Sequence, residues 1–433
     1  MAMDGKELVE KLAKLSQVQS IKDIPQLTHA LFPGTHCPLM GAAMAVGGIK
    51  DSLIVVVGTD ECTYYTKSMT IYSEKFGGID GRCVSVVLDD HDVTFGSAEK
   101  VQEAFKEIIE EYRPQCVFLV TTCVIEIIGD DFDAISEGLS KLYGIPVLPV
   151  HTEHFKCEDH LPGLERTITV CAEMMKSCDC DNSVNLLGQR MGDFATTELY
   201  AMLQKAGVKI GLQLPCGCSV DDIKNAAAAK VNIVVNDIAL PLAQKMQEKF
   251  GIPYVYFNKF VIPEKIYEAY KNLFGYLELE LPEELEGLYQ NAREEIEKNK
   301  GELEGITYIY GNTPYAVFEM NCFLSSLGMV PQVIQTNRYT EADEPYAKEI
   351  LQYTDPYVCK AANIAPLQYV YDVLSPYLYL GHEFGNRLRQ KGIAIVHSDR
   401  GSGMLGFEVT GYLLQQLVKS VREAKEYRKE LGL

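Results

Sequence analysis

The sequence has no apolar run long enough to span a bilayer. LIVVVGT and VCKAANIAPLQYVY are too short or too broken for the roughly 20 residues a spanning helix needs, and the amphipathic start KELVEKLAKL lacks the pattern of a secretory signal. It also has no basic patch. With a formal charge of −20, the surface repels phosphate backbones and anionic lipid, which argues against nucleic-acid and membrane-surface partners. Cysteine is too sparse for a disulfide scaffold: 13 in 433 residues, an odd count, leaves buried thiols, metal ligands or catalysts in a reducing compartment. A cytoplasmic protein is expected. Paired CxxC motifs, the compact spacing of a bacterial ferredoxin, HExxH, the phosphate loop GxxxxGK(S/T) and low-complexity segments are all absent. Their absence removes zinc modules, ferredoxins, phosphate-loop enzymes and disordered chains from consideration.

What is present is a rhythm. The chain is 47% apolar and 23% charged, enough for two to four domains with real cores. Short β-branched runs recur every 20 to 30 residues, each followed by a helix-like stretch such as AEKVQEAFKEIIEEY or ALPLAQKMQEKF. The first set of strands is read at 53–59, 83–88, 116–122 and 145–150, and the second at 183–188, 209–214, 231–236 and 252–257. The third is read at 306–311, 330–336, 377–381 and 393–398, with 356–361 as a further candidate. Alternation of this kind predicts an α/β chain of three Rossmann-like domains, each a mainly parallel four-stranded sheet flanked by helices. The domains are placed at 1–180, 181–300 and 301–433, the last including a long C-terminal helix expected to pack back on a neighbour.

Ligands of such sheets sit beyond the carboxyl ends of the strands, so the residues that follow each strand are the candidates. Cys62 follows the first strand, Cys123 the third, and His151 the fourth, opening HTEHFKCEDH. In the second domain LQLPCGCS places Cys216 and Cys218 at a strand end, and VVND places Asn236 and Asp237 at the next; in the third, His397 follows IAIV. Cys83, Cys116, Cys322 and Cys359 lie within or beside apolar runs and read as small buried hydrophobes. Cys62 sits between an acidic pair and two tyrosines, and Cys37 precedes a Gly/Ala stretch that lets backbones approach closely. Three thiolates 25 and 61 residues apart need the fold to bring them together, and three is one short of the usual four for an iron–sulfur cube. Either a fourth ligand comes from elsewhere in the chain or a second subunit shares the cluster. Asp130 and Asp131, in GDD, suit the positive end of the following helix and read as structural. Cys178 and Cys180, in SCDC, fall in what reads as a domain connector.

The stretches HCPLMGA (36–42), VVVGTDECTYY (55–65), DDHDVTFG (89–96) and TTCVIEIIGDDFDAI (121–135), in that order and at those intervals, resemble the component 1 proteins of the nitrogenase superfamily. That group includes nitrogenase catalytic subunits, their cofactor-assembly scaffolds, and nitrogenase-like reductases of tetrapyrroles or organosulfur compounds. The specific motifs lie in the first 160 residues, and the order of three α/β domains matches over nearly the whole chain. The resemblance implies that Cys37, Cys62 and Cys123 bind an iron–sulfur cluster, 4Fe–4S or P-cluster-like 8Fe–7S, shared at a subunit interface. It puts His397 in the histidine loop of a second metallocofactor. The position of that cofactor's cysteine falls near Val235 or Asn236, where there is no thiol; Cys216 and Cys218 are the nearest, as ligands or as passengers of a tight Gly turn. The loop with His151, His154 and His160 would border the cavity, relaying protons to a substrate or bonding its own backbone.

The main expectation is therefore the catalytic-component subunit of an ATP-dependent, nitrogenase-like reductase. Because the chain has no phosphate loop, an ATP-binding iron protein would be its electron donor, and a small molecule its substrate. A homodimer and a heterotetramer with a related component 1 subunit both fit. The second expectation is a non-catalytic scaffold on which a metallocofactor is built or held, consistent with a retained His397 and a missing cysteine. A third class, a dinucleotide-dependent dehydrogenase, is suggested by Gly401, Gly403 and Gly406 in GxGxxG, but no further strand follows to supply the acidic residue that fingerprint needs.

Overall fold

In the computed structural model, residues 4–27, 36–71, 82–157, 159–190, 192–311, 313–360 and 364–433 are described. The valine-rich run 52–58 is buried along its whole length, as a strand with helices on both faces must be. It is central in a parallel sheet ordered 83–87, 52–58, 116–121, 147–150. A second parallel sheet runs 254–256, 231–234, 184–189, 210–215. The helices between them follow the apolar spacing: Ala98–Tyr112 buries Val101, Phe105 and Ile108. Leu240–Phe250 buries Leu242, Ala243 and Met246 and stops at Gly251 in left-handed backbone.

The third sheet departs from the expected four strands. Its order is 13–14, 357–359, 330–335, 307–310, 378–380, 394–396, so the run 356–361 does contribute a strand, at 357–359. The outermost strand, Ala13–Lys14, comes from the other end of the chain and pairs antiparallel with Tyr357–Cys359. Two residues carry no alternation for a sequence reading to detect. Leu8, Leu12 and Leu27 bury against Leu367 and Val370, and Asp355 accepts hydrogen bonds from Ser16 N and Oγ at 3.0 and 2.8 Å. The expected boundary of 1–180 for the first domain is corrected accordingly: residues 4–27 accompany the third sheet.

The first two sheets are not independent lobes. Ile54, Val56, Phe118 and Val120 share one apolar cluster with Leu187, Leu212 and Val234, and a short strand pair, Ile49–Lys50 with Cys218–Ser219, ties them. The C-terminal helix Glu408–Leu431 buries Val409, Leu413, Leu417 and Val421 in the core of the third sheet. Its outer face holds the connector helix Leu285–Leu303 through a two-point ion pair between Arg422 and Glu302, at 2.7 and 3.0 Å. No helix among the described residues is long and apolar enough to cross a membrane.

Candidate functional site

Strand order in the first sheet reverses between 52–58 and 116–121, which is where crevices open in doubly wound folds. The two loops leaving these strands carry Cys62, in the first turn of Asp60–Ile71, and Cys123, the first residue of Cys123–Ile128. Cys37 caps the start of Pro38–Gly47. All three are partly buried free thiols. The fold brings Cys62 and Cys37 within electrostatic reach of Cys123: burial pushes the Cys123 thiol up, and the charges of Cys62 and then Cys37 push it further. Each sits at a helix N-terminus, the positive end of the helix dipole.

Close backbone contacts make this convergence possible. A Cβ on Gly58 would lie 2.1 Å from Thr122 Oγ1, so glycine lets the end of one strand abut the residue before Cys123. Gly41 and Gly163 do the same between helices Pro38–Gly47 and Leu161–Val170: a Cβ on Gly163 would meet the Pro38 carbonyl oxygen at 1.8 Å, and one on Gly41 the His160 carbonyl at 1.9 Å. Gly163→Ala is therefore expected to separate the helix that carries Cys37 from its support, at a cost of about 3 kcal/mol or more from overpacking against rigid backbone. Urea denaturation of wild type and variant measures it.

The Cys123 helix is fixed by Glu126, whose Oε1 accepts hydrogen bonds from Thr121 Oγ1 (2.7 Å), Thr152 Oγ1 (3.1 Å) and Glu153 N (2.6 Å). Asp130 accepts from Ser97 N and Oγ at 2.7 and 2.6 Å, and Asp131 caps the next helix by accepting from Ala134 N. Both aspartates have the structural roles their position suggested.

Among the described residues, no three His, Cys, Asp or Glu side chains are grouped as ligands for a single ion. Thiolates on one zinc-like ion lie about 2.3 Å from it and so within about 4.6 Å of one another. A cluster spreads its ligands further, because each sulfur takes a different iron. The three thiols are electrostatically coupled without forming such a single-ion group.

The three loop histidines are not brought together. His151 Nε2 lies 3.3 Å from Asp133 Oδ2, without hydrogen-bond alignment, while exposed His154 packs edge-on against Phe155. His160, held down in pKa by burial and then by the Arg190 charge, packs edge-on with His36, ring centroids 6.4 Å apart. No hydrogen bond joins any two of them among the described residues. The cause is the left-handed turn at Glu153 (φ 43°), locked by its ion pairs with Arg166 and Lys156, both at 2.6 Å, and by Arg166 Nη1 donating to the Thr152 carbonyl. The bland reading of this loop, a chain bonded to its own backbone, is the one the contacts match. Residue 158, within the same motif, lies outside the described residues.

Cys218 is 1% exposed in the core shared by the first two sheets, and burial pushes its thiol up to about 12. A neutral thiol sealed in apolar packing is poorly placed to serve as a ligand, and the packing role fits these surroundings. Cys216, beyond the turn at Gly217, donates from Sγ to the Arg190 carbonyl at 3.4 Å and is raised by burial. Asn236, at the position where the resemblance puts a cofactor cysteine, caps the short helix Asp237–Ala239 with its side-chain oxygen. Asp237 accepts from Tyr256 OH and from Asn258 Nδ2. His397 is exposed, and its carbonyl accepts from Tyr412 OH at 2.9 Å. The glycine run 401–406 offers no cradle for a dinucleotide, since Tyr315 OH stands 1.9 Å from where a Gly401 Cβ would be.

Two residues at the same edge of the second sheet escaped the sequence reading: Arg190, immediately after Val184–Gln189, and Lys259, just after Tyr254–Tyr256. Both stand just past strand ends, the same positional signal that marks the thiols and imidazoles. Lys259 is buried, and desolvation followed by the Arg190 charge lowers its pKa to about 7. Glu319, on the helix Val317–Ser326 and within electrostatic reach of Lys265 and Asp237, is raised by burial to about 7.

Comparison with known proteins supplies the context. An iron-molybdenum cofactor biosynthesis protein NifE from Clostridium pasteurianum is 31% identical over 224 residues, 51% of this chain and 49% of that protein. NifE from Rippkaea orientalis is 25% identical over 331 residues, 73% of this chain and 69% of the relative. The nitrogenase molybdenum-iron protein alpha chain of Methanosarcina barkeri is 24% identical over 330 residues, 72% and 62%. The match thus spans only about half the length of the first of these relatives. In three dimensions the chain superposes on nitrogenase Cp1 at pH 6.5 with a TM-score of 0.78 at 15% identity, covering 93% of this chain and 95% of the other, which establishes the fold. A family model for nitrogenase component 1 type oxidoreductases matches residues 37–422. Running from Cys37 itself to the helix that closes the third domain, that match places this chain in the nitrogenase component 1 type oxidoreductase family.

Proposed function

We propose that this chain is a metallocofactor assembly scaffold related to nitrogenase component 1, rather than the reductase subunit that was the first expectation. The observation that carries this reading is the second-sheet loop where a cofactor cysteine is expected: Asn236 occupies it, and its side chain is committed to capping Asp237–Ala239. A cargo held without that thiolate, beside a solvent-exposed His397, is held more loosely than a resident cofactor. The likeness to two proteins named for cofactor biosynthesis points the same way.

In this proposal Cys37, Cys62 and Cys123 hold an iron–sulfur cluster at a subunit contact, where the partner completes the ligand set. The cluster supplies one-electron redox capacity; the chain supplies three thiolates at helix N-termini and a dry support beneath them. Large apolar side chains project from the same helices, with Tyr64 and Tyr65 64% and 68% exposed and Ile127 72% exposed. Such a patch suits burial by a second copy of this chain or by a related subunit.

The test is a transfer assay. Protein loaded anaerobically with iron-molybdenum cofactor extracted from intact nitrogenase component 1, and freed of excess, is mixed with cofactor-free component 1, and the recovered activity is measured. Wild type is expected to restore activity, with little or no turnover of its own when given an iron protein and MgATP, and His397→Ala is expected to reduce transfer while keeping the cysteine-bound iron. Steady reduction of a substrate by this chain, without any transfer, would establish the reductase reading instead, which the likeness to the molybdenum-iron alpha chain favours.

A further inference from the structure

Two cations stand at the carboxyl end of the second sheet, and among the described residues neither is joined to a carboxylate by an ion pair. Strands 184–189 and 254–256 flank 231–234, so Arg190 and Lys259 leave the sheet at the same edge, beside the point where its strand order reverses. Lys259 is only 7% exposed, and among the described residues its ammonium makes no hydrogen bond or ion pair. The Nε of Arg190 is sealed from solvent and has no acceptor. The two lie near enough for the charge of Arg190 to weigh against protonation of Lys259.

Neighbouring carboxylates do not resolve this. Asp159 influences Arg190 electrostatically but accepts its hydrogen bond from Leu161 N at 2.8 Å. Asp237 is engaged by Tyr256 and Asn258, and Glu319 faces Lys265 at 3.8 Å. Holding a second positive charge beside a buried ammonium is costly unless something neutralises the pair, and such an arrangement persists where a ligand uses it.

We propose that Arg190 and Lys259 form a binding site for a small oxyanion, a carboxylate or phosphate group held between guanidinium and ammonium. The planar fork of Arg190 sets the orientation of two oxygens, and Lys259 adds a compact charge that gains strength from its low-dielectric surroundings. The site uses neither the three thiols nor His397. It would place an anionic group of a substrate or cargo component at the switch point of the second sheet, beside the loop that lacks a thiol.

The test uses the full chain without iron, so that failure of the scaffold reading leaves it intact. The protein is transferred to a chloride-free, zwitterionic buffer and titrated calorimetrically with inorganic phosphate in one series and malonate in another. Saturable binding of at least one is expected, weakened about tenfold or more by Arg190→Met and by Lys259→Met, since a charge-assisted hydrogen bond contributes about that factor. Lys259→Arg keeps the charge and is expected to keep most of the affinity. Binding of phosphate alone assigns a phosphate-bearing ligand, and binding of malonate alone a carboxylate. Absence of saturable binding by either anion, or affinity unchanged in both folded methionine variants, overturns the proposal.

Discussion

Cys62→Ala and Cys123→Ala are each expected to strip most of the iron from anaerobically isolated protein, whereas Cys116→Ala leaves it in place. The contrast follows from surroundings. Cys116 lies in a fully buried strand, its thiol pushed up to about 12 by desolvation, and a neutral thiol is no ligand. Cys123 is also raised, but in part by the charges of Cys62 and Cys37. That mutual repulsion disappears once the three share a positively charged group, so the same electrostatics that disfavour three thiolates in the free chain favour them around iron. Loss of one ligand should weaken retention by more than the 10- to 100-fold typical of removing a mere supporting contact. Iron and sulfide analysis, with visible absorbance, measures it. Full iron content in both the Cys62 and Cys123 variants would refute the ligand assignment.

Lys259→Met is expected to stabilise the ligand-free protein at neutral pH. A lysine whose pKa falls from 10.5 to about 7 on folding carries on the order of 4 kcal/mol of penalty at pH 7, at 1.36 kcal/mol per pKa unit. The sign follows from proton binding: between about 7 and 10.5 the unfolded chain holds more protons at this residue than the folded one, so wild-type stability rises with pH across that window. Below it the lysine is charged in both states and the full penalty remains. The variant should therefore exceed wild type most at pH 6.5 and lose that advantage as the pH approaches 10. Urea denaturation at both ends measures this. Equal destabilisation of Lys259→Met at the two pH values would show that the aliphatic stem, not the charge, is what the position needs. If the oxyanion site exists, added phosphate or malonate narrows the gap at low pH, because a ligand that binds only the folded wild type stabilises it by mass action.

Much of the site was legible in one dimension because its parts are local. Cys62 and Cys123 directly follow apolar runs that could only be buried parallel strands, and ligands of such sheets collect at strand ends. The GAA stretch after Cys37 announced a close backbone contact, found between Gly41 and Gly163. Asp130 and Asp131 are helix-start residues by position alone. The conformation of the histidine loop was not legible, because imidazole spacing says nothing about a left-handed turn at Glu153, which pairs with Arg166 on the next helix. Cys218 and Cys216 stand two residues apart in a strand-end motif, yet one is sealed in a core while the other lies against Arg190. That difference depends on the strand pair between Cys218–Ser219 and Ile49–Lys50, which joins segments about 170 residues apart.

The sequence by itself determined the alternation of strands and helices, the three sheets and the placement of thiols at strand ends, since side-chain periodicity and helix-start chemistry act over a few residues. Only the tertiary structure decided which strands adjoin, and hence that Cys37, Cys62 and Cys123 converge while three histidines within ten residues do not. It also decided that residues 13–14 complete the last sheet, and that a buried lysine and a half-buried arginine from separate strands stand within electrostatic reach, with no ion pair among the described residues. Those outcomes rest on burial and long-range electrostatics, which depend on what the rest of the chain packs around a residue and leave no trace in its immediate neighbours.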